Sequence, residues 1–328
     1  MGTMNTPTVI DESLCIESRL GAGGGGAVYK AWHMRLQKYV VIKEFKCGSS
    51  AGVGARRNEV EALKNVKSPY LPQVYDYLEE GGRALTVMEY IEGESFDRLL
   101  GRGRNFTQSE VIKWYAQLAS ALEALHGQNI CHRDIKPSNI MLTPDGDVCL
   151  VDFNAAFVRG NSVRFLSRSL GYASPEQYET YEWIKKSRAM QLPVVNAQCR
   201  MKVDGIDWRR SDIYSLGAAI YHILTGKRPH ERAQEVTAIS KLGRFNAALI
   251  RIIEKSMQPE PPERYTSAEA LADAICCLQK RRSTAGTSLT LGEMILYGVT
   301  AGLGGAALAT TIINSAISGT VGKSRAFR

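Results

Sequence analysis

The sequence has no C-x-x-C pair. Its cysteines, Cys15, Cys47, Cys131, Cys149, Cys199, Cys276 and Cys277, offer neither a zinc nor a dithiol spacing. An odd set of this kind reads as reduced thiols in a cytosolic domain. No secretory leader opens the chain, because MGTMNTPTVIDES lacks a basic and then apolar pattern, so the folded part is expected in the cytoplasm. No repeat of solenoid period is present. Disorder is excluded as well, since 328 residues at 44% hydrophobic and 23% charged can bury a full core in one large domain or two modest ones. The formal net charge of +8 favours acidic partners such as nucleotide, phosphorylated protein, nucleic acid or an anionic surface.

Local pattern divides the chain. GAGGGG at 21–26 lies between ESRL and AVYKAW, with YVVIKEF at 39–45 beyond; alternation and β-branched residues make the flanks strands and the glycines a hairpin tip. RRNEVEALKNV at 56–66 has helical spacing and ALTVMEYI at 84–91 returns to strand, so the first ninety residues predict a small antiparallel sheet with one helix. From Thr107 onward helices dominate. A capped amphipathic helix is predicted over 110–128, stopped at Gly127, and others over 211–226, 246–257 and 267–282. Short strands are predicted at 139–142 and 147–153, followed by an irregular segment. A cleft is expected near residues 88–95, between the sheet and the helices.

Three features point to chemistry. Gly21, Gly23 and Gly26 fit G-x-G-x-x-G ahead of Val28, a spacing that lets backbone N–H groups approach a polyphosphate, although an empty hairpin tip reads the same way. Lys43 ends an apolar strand and needs an anion to offset desolvation, which Glu59 on the helix can supply; both could equally be solvated. In LVDFNAAF, Asp152 closes a strand, as a cation ligand or as an ordinary strand-ending carboxylate.

The stretch CHRDIKPSNIML at 131–142 decides between these readings. His132-Arg133-Asp134 with Lys136 and Asn139, followed by Asp152-Phe153-Asn154, resembles the catalytic loop and metal-binding motif of the protein kinase family. The resemblance covers residues 15–282 and implies an α+β, two-lobed fold with an antiparallel-sheet N-lobe (15–91) and a mostly helical C-lobe (92–282). It implies ATP and Mg²⁺ as cofactors, protein Ser/Thr hydroxyls as substrates, and no nucleic acid partner. Under it, Leu20, Val28 and Val41 roof the adenine and Met141 floors it. Glu89 and Ile91 form the hinge behind the gatekeeper Met88. Lys43, paired with Glu59, holds the phosphates; Asp134 takes the acceptor's proton; Asn139 and Asp152 hold the metal. Lys136 marks serine/threonine rather than tyrosine kinases, with autophosphorylation expected. Ser174-Pro175-Glu176, Asp212 and an Arg264–Glu176 pair mark protein kinases rather than small-molecule kinases. GYASPEQ and DIYSLG look most like the eukaryotic-like serine/threonine kinases of bacteria.

The sequence departs from the family in several places. Asn154 replaces the motif glycine, tolerably for a residue that accepts positive φ, and keeps open an alternative: a nucleotide-binding pseudokinase scaffold. Val41 replaces an alanine, Arg168 a glycine, and Ser169 the threonine that contacts the catalytic Asp and Lys. Arg133 usually goes with activation by phosphorylation, for which Ser162 and Ser167 are candidate acceptors; pairing with a carboxylate would remove that switch. The spacer 180–211 carries seven Lys or Arg against three acids, with Trp183, Leu192, Pro193 and Trp208 interleaved, and reads as a solvated loop or a docking surface for an acidic substrate segment.

Outside the domain, residues 1–14 read as a tail and 283–290 as a linker. A transmembrane helix is expected over 291–318, built on the uncharged run 294–317, with a basic tail at 319–328. The run holds Gly298-x-x-x-Gly302, a helix-packing spacing, and lies between Lys280, Arg281 and Arg282 before it and Lys323, Arg325 and Arg328 after it. The catalytic domain is therefore expected in the cytoplasm, tethered by a single-pass helix.

Overall fold

A computed structural model describes residues 9–11, 13–23, 26–46, 57–58, 60–80, 83–153, 157–158, 168–189, 201, 203–230, 236–243 and 245–286. Glu59, Asn154, Ser162, Ser167, Leu192, Pro193 and the run 294–317 lie outside the described residues.

Six strands, β1 (Val9–Asp11), β2 (Leu14–Gly23), β3 (Gly26–His33), β4 (Lys38–Lys46), β5 (Val74–Glu80) and β6 (Arg83–Glu89), make one sheet in the order β1-β2-β3-β4-β6-β5. Every pairing in it is antiparallel. The sheet begins before residue 15, because the Val-Ile-Asp run of β1 pairs back onto Leu14 and Cys15. Alternation divides β4 between two faces. Val40 and Ile42, fully buried, join Leu14, Ala31, Leu85 and Val87 in a small core on one face. The other face carries Val41 and Lys43. Directly opposed residues share a face, so Val28 and Thr86 beside Lys43, and Met88 beside Val41, complete it.

The helical part contains α1 (Phe96–Gly101), α2 (Gln108–Gly127), α3 (Pro175–Ala189), α4 (Trp208–Thr225), α5 (Ala247–Ser256) and α6 (Ala268–Gly286). Short strands β7 (Glu94–Ser95), β9 (Ile140–Leu142) and β10 (Val148–Leu150) form one sheet, and β8 (Ile130–Cys131) pairs with β11 (Phe157–Val158). Helix α2 starts where its capping box stands: Glu110 N–H donates to Thr107 Oγ1 and Thr107 N–H donates to Glu110 Oε2. Its Leu118, Leu122 and Leu125 are fully buried, each contributing roughly 1.5–3 kcal/mol of transfer free energy. Helix α4 is buried nearly all round, which is why its apolar residues show no stripe. The main core runs from Val60, Leu63, Val74 and Met88 beside the sheet through α2 and α4 to Leu271 and Ile275 of α6.

Two expectations are corrected. The segment after Asp152 is not wholly irregular, because α3 occupies fifteen residues of it. Its hydrophobic pattern is weak because its most buried members are the polar Gln177, Thr180 and Ser187, and polar burial leaves no apolar period to read. The last helix also continues through 283–286, where a linker is expected. Residues 279–286 belong to a second unit, Gln279–Arg328, whose other residues are not described.

Candidate active site

The loop from His132 to Asn139 is set by one buried carboxylate. Asp212 on α4 is inaccessible to solvent; its Oδ2 accepts from His132 N–H at 2.8 Å and its Oδ1 from Arg133 N–H at 2.7 Å. His126 Nε2 lies 3.0 Å from the same Oδ2. These bonds hold Arg133 at φ 66°, a left-handed conformation that costs a non-glycine residue roughly 1–2 kcal/mol. Gln177 of α3 adds a bond from its Nε2 to the Arg133 carbonyl at 2.9 Å.

From that turn the reactive groups project. Asp134 is gripped on both oxygens: Lys136 Nζ donates to Oδ2 at 2.8 Å, and Ser169 Oγ donates to Oδ1 at 2.5 Å. Asn139 Nδ2 donates to the Asp134 carbonyl at 2.8 Å and approaches Oδ2 at 3.3 Å. Val151 N–H donates to the Asn139 carbonyl at 2.8 Å, and His132 Nε2 lies 3.2 Å from the Val151 carbonyl. The catalytic loop and the strand end that carries Asp152 are thereby tied together. Asp152 itself sits at φ 72° with its Oδ1 ion-paired to Lys43 Nζ. Lys43, Asp134, Asn139 and Asp152 thus form one connected group, although they span more than a hundred positions of sequence.

The donor set suits a hard divalent cation. Asn139 is buried with its amide hydrogens turned to Asp134, which leaves Oδ1 with only a 3.4 Å contact from Ser138 among the described residues. Asp152 supplies a carboxylate from the neighbouring strand end. Amide and carboxylate oxygens of this kind fit magnesium. A cysteine nucleophile is excluded at Cys131 and Cys149: burial pushes the Cys149 thiol up to about 12 and Cys131 higher still, so both stay protonated.

The nucleotide-side residues are placed unevenly. Val28, Val41, Lys43 and Met88 share one sheet face, and Met141 lies half-buried on β9 between Cys149 and Ser95. Glu89 gives its N–H to the Gln73 carbonyl at 2.8 Å, so a base bonded there is bonded through the Glu89 carbonyl. Ile91 follows, half-buried. Leu20 is 48% exposed beside a register shift in β2. Gly21 faces open space. Gly26 has a packing reason to be glycine, since at φ 142° a Cβ would stand 1.7 Å from the Glu44 carbonyl oxygen.

The marks beyond the cleft also meet. Arg264, fully buried, donates to both oxygens of Glu176 at 2.8 and 2.9 Å, and to the carbonyls of Gln258, Pro259 and Arg210. The Arg133 guanidinium is 4.4 Å from the Trp208 ring, and Trp208 packs with Cys131, Val203, Ile184 and Ile206. The 180–211 spacer is therefore partly built structure rather than a solvated loop throughout, although Lys185 and Lys186 are exposed. Sequence reasoning missed the parts played by Gln177 and Trp208. No spacing announces a buried glutamine or an indole under an arginine.

Residues 14–191 match the family described as the protein kinase domain. A probable serine/threonine-protein kinase from Clostridium acetobutylicum is 28% identical over 287 residues, covering 82% of this chain and 40% of the relative. Serine/threonine-protein kinase pkn3 of Myxococcus xanthus is 27% identical, covering 81% of this chain and 50% of its own length. Serine/threonine-protein kinase PknB of Mycobacterium tuberculosis is 28% identical, with shares of 83% and 44%. The chain spans half or less of the length of these relatives.

Removing the Glu176 carboxylate strands a buried guanidinium. Glu176→Ala is expected to lower the unfolding free energy by about 3–5 kcal/mol, measured by urea denaturation, and Glu176→Gln by less because it keeps an acceptor oxygen.

Proposed function

Because the chain belongs to the protein kinase family, we propose that it is a serine/threonine protein kinase, transferring the γ-phosphate of ATP to Ser or Thr hydroxyls of proteins and to its own. The observation that carries this reading is the doubly held Asp134, with Lys136 on one oxygen and Ser169 on the other. A carboxylate fixed in this way can orient an acceptor hydroxyl and take its proton as the oxygen attacks phosphorus and the bond to the bridging oxygen of the leaving diphosphate breaks. Lys136, a cation beside the acceptor position, offsets charge on the phosphate in transfer. Lys43 on the sheet face steadies the α- and β-phosphates, and Glu59 is its partner in this reading. Asn139 and Asp152 would hold magnesium, which supplies charge neutralisation at the phosphate oxygens.

Leu20, Gly21, Gly23, Gly26, Val28 and Val41 cover the nucleotide, Met141 lies beneath it, and Glu89 and Ile91 bond the base. Support for this placement comes from the shared face of Val28, Val41, Lys43 and Met88. The domain organisation proposed is the kinase domain over 15–282 with β1 added, then the C-terminal segment. We place an anchor over 294–317: twenty-four uncharged residues span about 36 Å as a helix, enough for a hydrocarbon core of about 30 Å. Among the described residues no helix is long and apolar enough to cross a membrane. The catalytic domain would then work at the cytoplasmic face.

Radiolabelled phosphate transfer to a generic protein acceptor tests the activity. Asp134→Asn is expected to lower the rate by about a hundredfold or more while nucleotide binding persists; equal rates would remove the enzyme reading. For the anchor, carbonate extraction of the full chain is expected to leave it in the membrane pellet, and release into the supernatant would exclude it.

A further inference from the structure

The activation-side residue Arg168 is held in a way the reaction scheme above does not use. Its guanidinium carbon lies 4.4 Å from the ring centroid of Tyr178 and 4.9 Å from that of Tyr181, and its Nη1 is 2.7 Å from Glu182 Oε1. These three partners stand on α3 at positions i, i+3 and i+4, which is one face of a helix. The face offers two aromatic surfaces and one carboxylate to a planar cation, a combination that suits arginine better than lysine.

The next residue along is Ser169, whose Oγ donates to Asp134. On its far side the Ser169 carbonyl accepts from Tyr172 N–H at 3.0 Å and Ala173 N–H at 2.9 Å. The backbone of Ser169 is thus fixed from both directions, by a turn after it and by the Arg168 grip before it. Among the described residues, no hydrogen bond or ion pair joins Arg168, Tyr178, Tyr181 or Glu182 to Asp134. The shortest route from Arg168 to the carboxylate runs through its chain neighbour Ser169; α3 also reaches the loop at the Arg133 carbonyl through Gln177.

We propose that Arg168 is a positioning residue for phosphoryl transfer: gripped by Tyr178, Tyr181 and Glu182, it seats Ser169 against Asp134. The proposal rests on the kinase reading above. It also gives α3 a role, since the helix serves as the wall against which the acceptor side of the site is braced.

The test compares steady-state phosphorylation of a protein acceptor by the full chain and by Arg168→Ala, Arg168→Lys, Glu182→Ala, Ser169→Ala and the Arg168→Ala/Ser169→Ala double variant, with a Mg·ATP titration of each. Arg168→Ala is expected to lower kcat by about tenfold or more with nucleotide affinity within about twofold of the starting chain. Glu182→Ala moves kcat the same way by less, and Arg168→Lys recovers part of the loss. In the Ser169→Ala background, adding Arg168→Ala should change kcat by less than about twofold, because the two act in series. The proposal is overturned by Arg168→Ala at full kcat, by an undiminished loss in the Ser169→Ala background, or by a parallel fall in nucleotide affinity, which would make Arg168 merely structural. A starting chain that transfers no phosphate removes the kinase reading and the grip together, whereas a competent chain matched by Arg168→Ala removes the grip alone.

Discussion

Two backbone N–H groups pointing at one buried carboxylate fix the loop that carries Asp134 and Asn139. His132 and Arg133 lie outside any helix or strand, and Arg133 adopts a left-handed conformation there. Asp212 satisfies both N–H groups from α4, a helix buried nearly all round. Its location makes the constraint rigid, because the helix carrying it is packed on every side. Gly217, one to two turns further on, lets α5 approach closely: a Cβ there would stand 2.8 Å from Ser256 Cβ. Close helix packing in the core is thereby converted into the placement of a single loop.

Around that anchor the molecule joins elements of different kinds. The sheet supplies Lys43 on the face opposite its small apolar core, a side set by strand alternation. The loop supplies Asp134 and Asn139, and a strand end supplies Asp152 at positive φ. The backbone bond from Val151 N–H to the Asn139 carbonyl closes the circuit. The buried Asp212 carboxylate has its partners within the cluster, as a low-dielectric site requires, whereas His126 Nδ1 and Thr86 Oγ1 are buried without a hydrogen-bond partner among the described residues. Further out, Arg264 and Glu176 lock the start of α3, and α3 in turn contacts both sides of the Asp134 loop, through Gln177 at Arg133 and through the Arg168 grip.

What the sequence made legible follows from the same physics. The strands around Lys43 show themselves by alternation, and α2 by its Thr107 and Glu110 capping box. The catalytic loop stands out because several reactive types must occur at fixed spacing for their side chains to meet. Helix α3 escaped notice because it buries Gln177, Thr180 and Ser187 instead of an apolar stripe. Trp208 read as part of a basic spacer, yet it is buried under Arg133, a contact that depends on tertiary placement and leaves no local trace. Gly26 looked like a phosphate-loop glycine, and its stricter requirement proved to be the carbonyl of Glu44 across the hairpin. The partner expected for Lys43, Glu59, lies outside the described residues; among those described, Lys43 is ion-paired with Asp152.

The convergence of Lys43, Asn139 and Asp152 on one magnesium nucleotide is the centre of the account, and calorimetric titration of the full chain with ATP, with and without Mg²⁺, tests it most directly. A single saturable site that depends on the cation, and that weakens sharply in Asp152→Ala, is the predicted result. Absence of uptake in the presence of magnesium, or binding indifferent both to the cation and to Asp152, would contradict it.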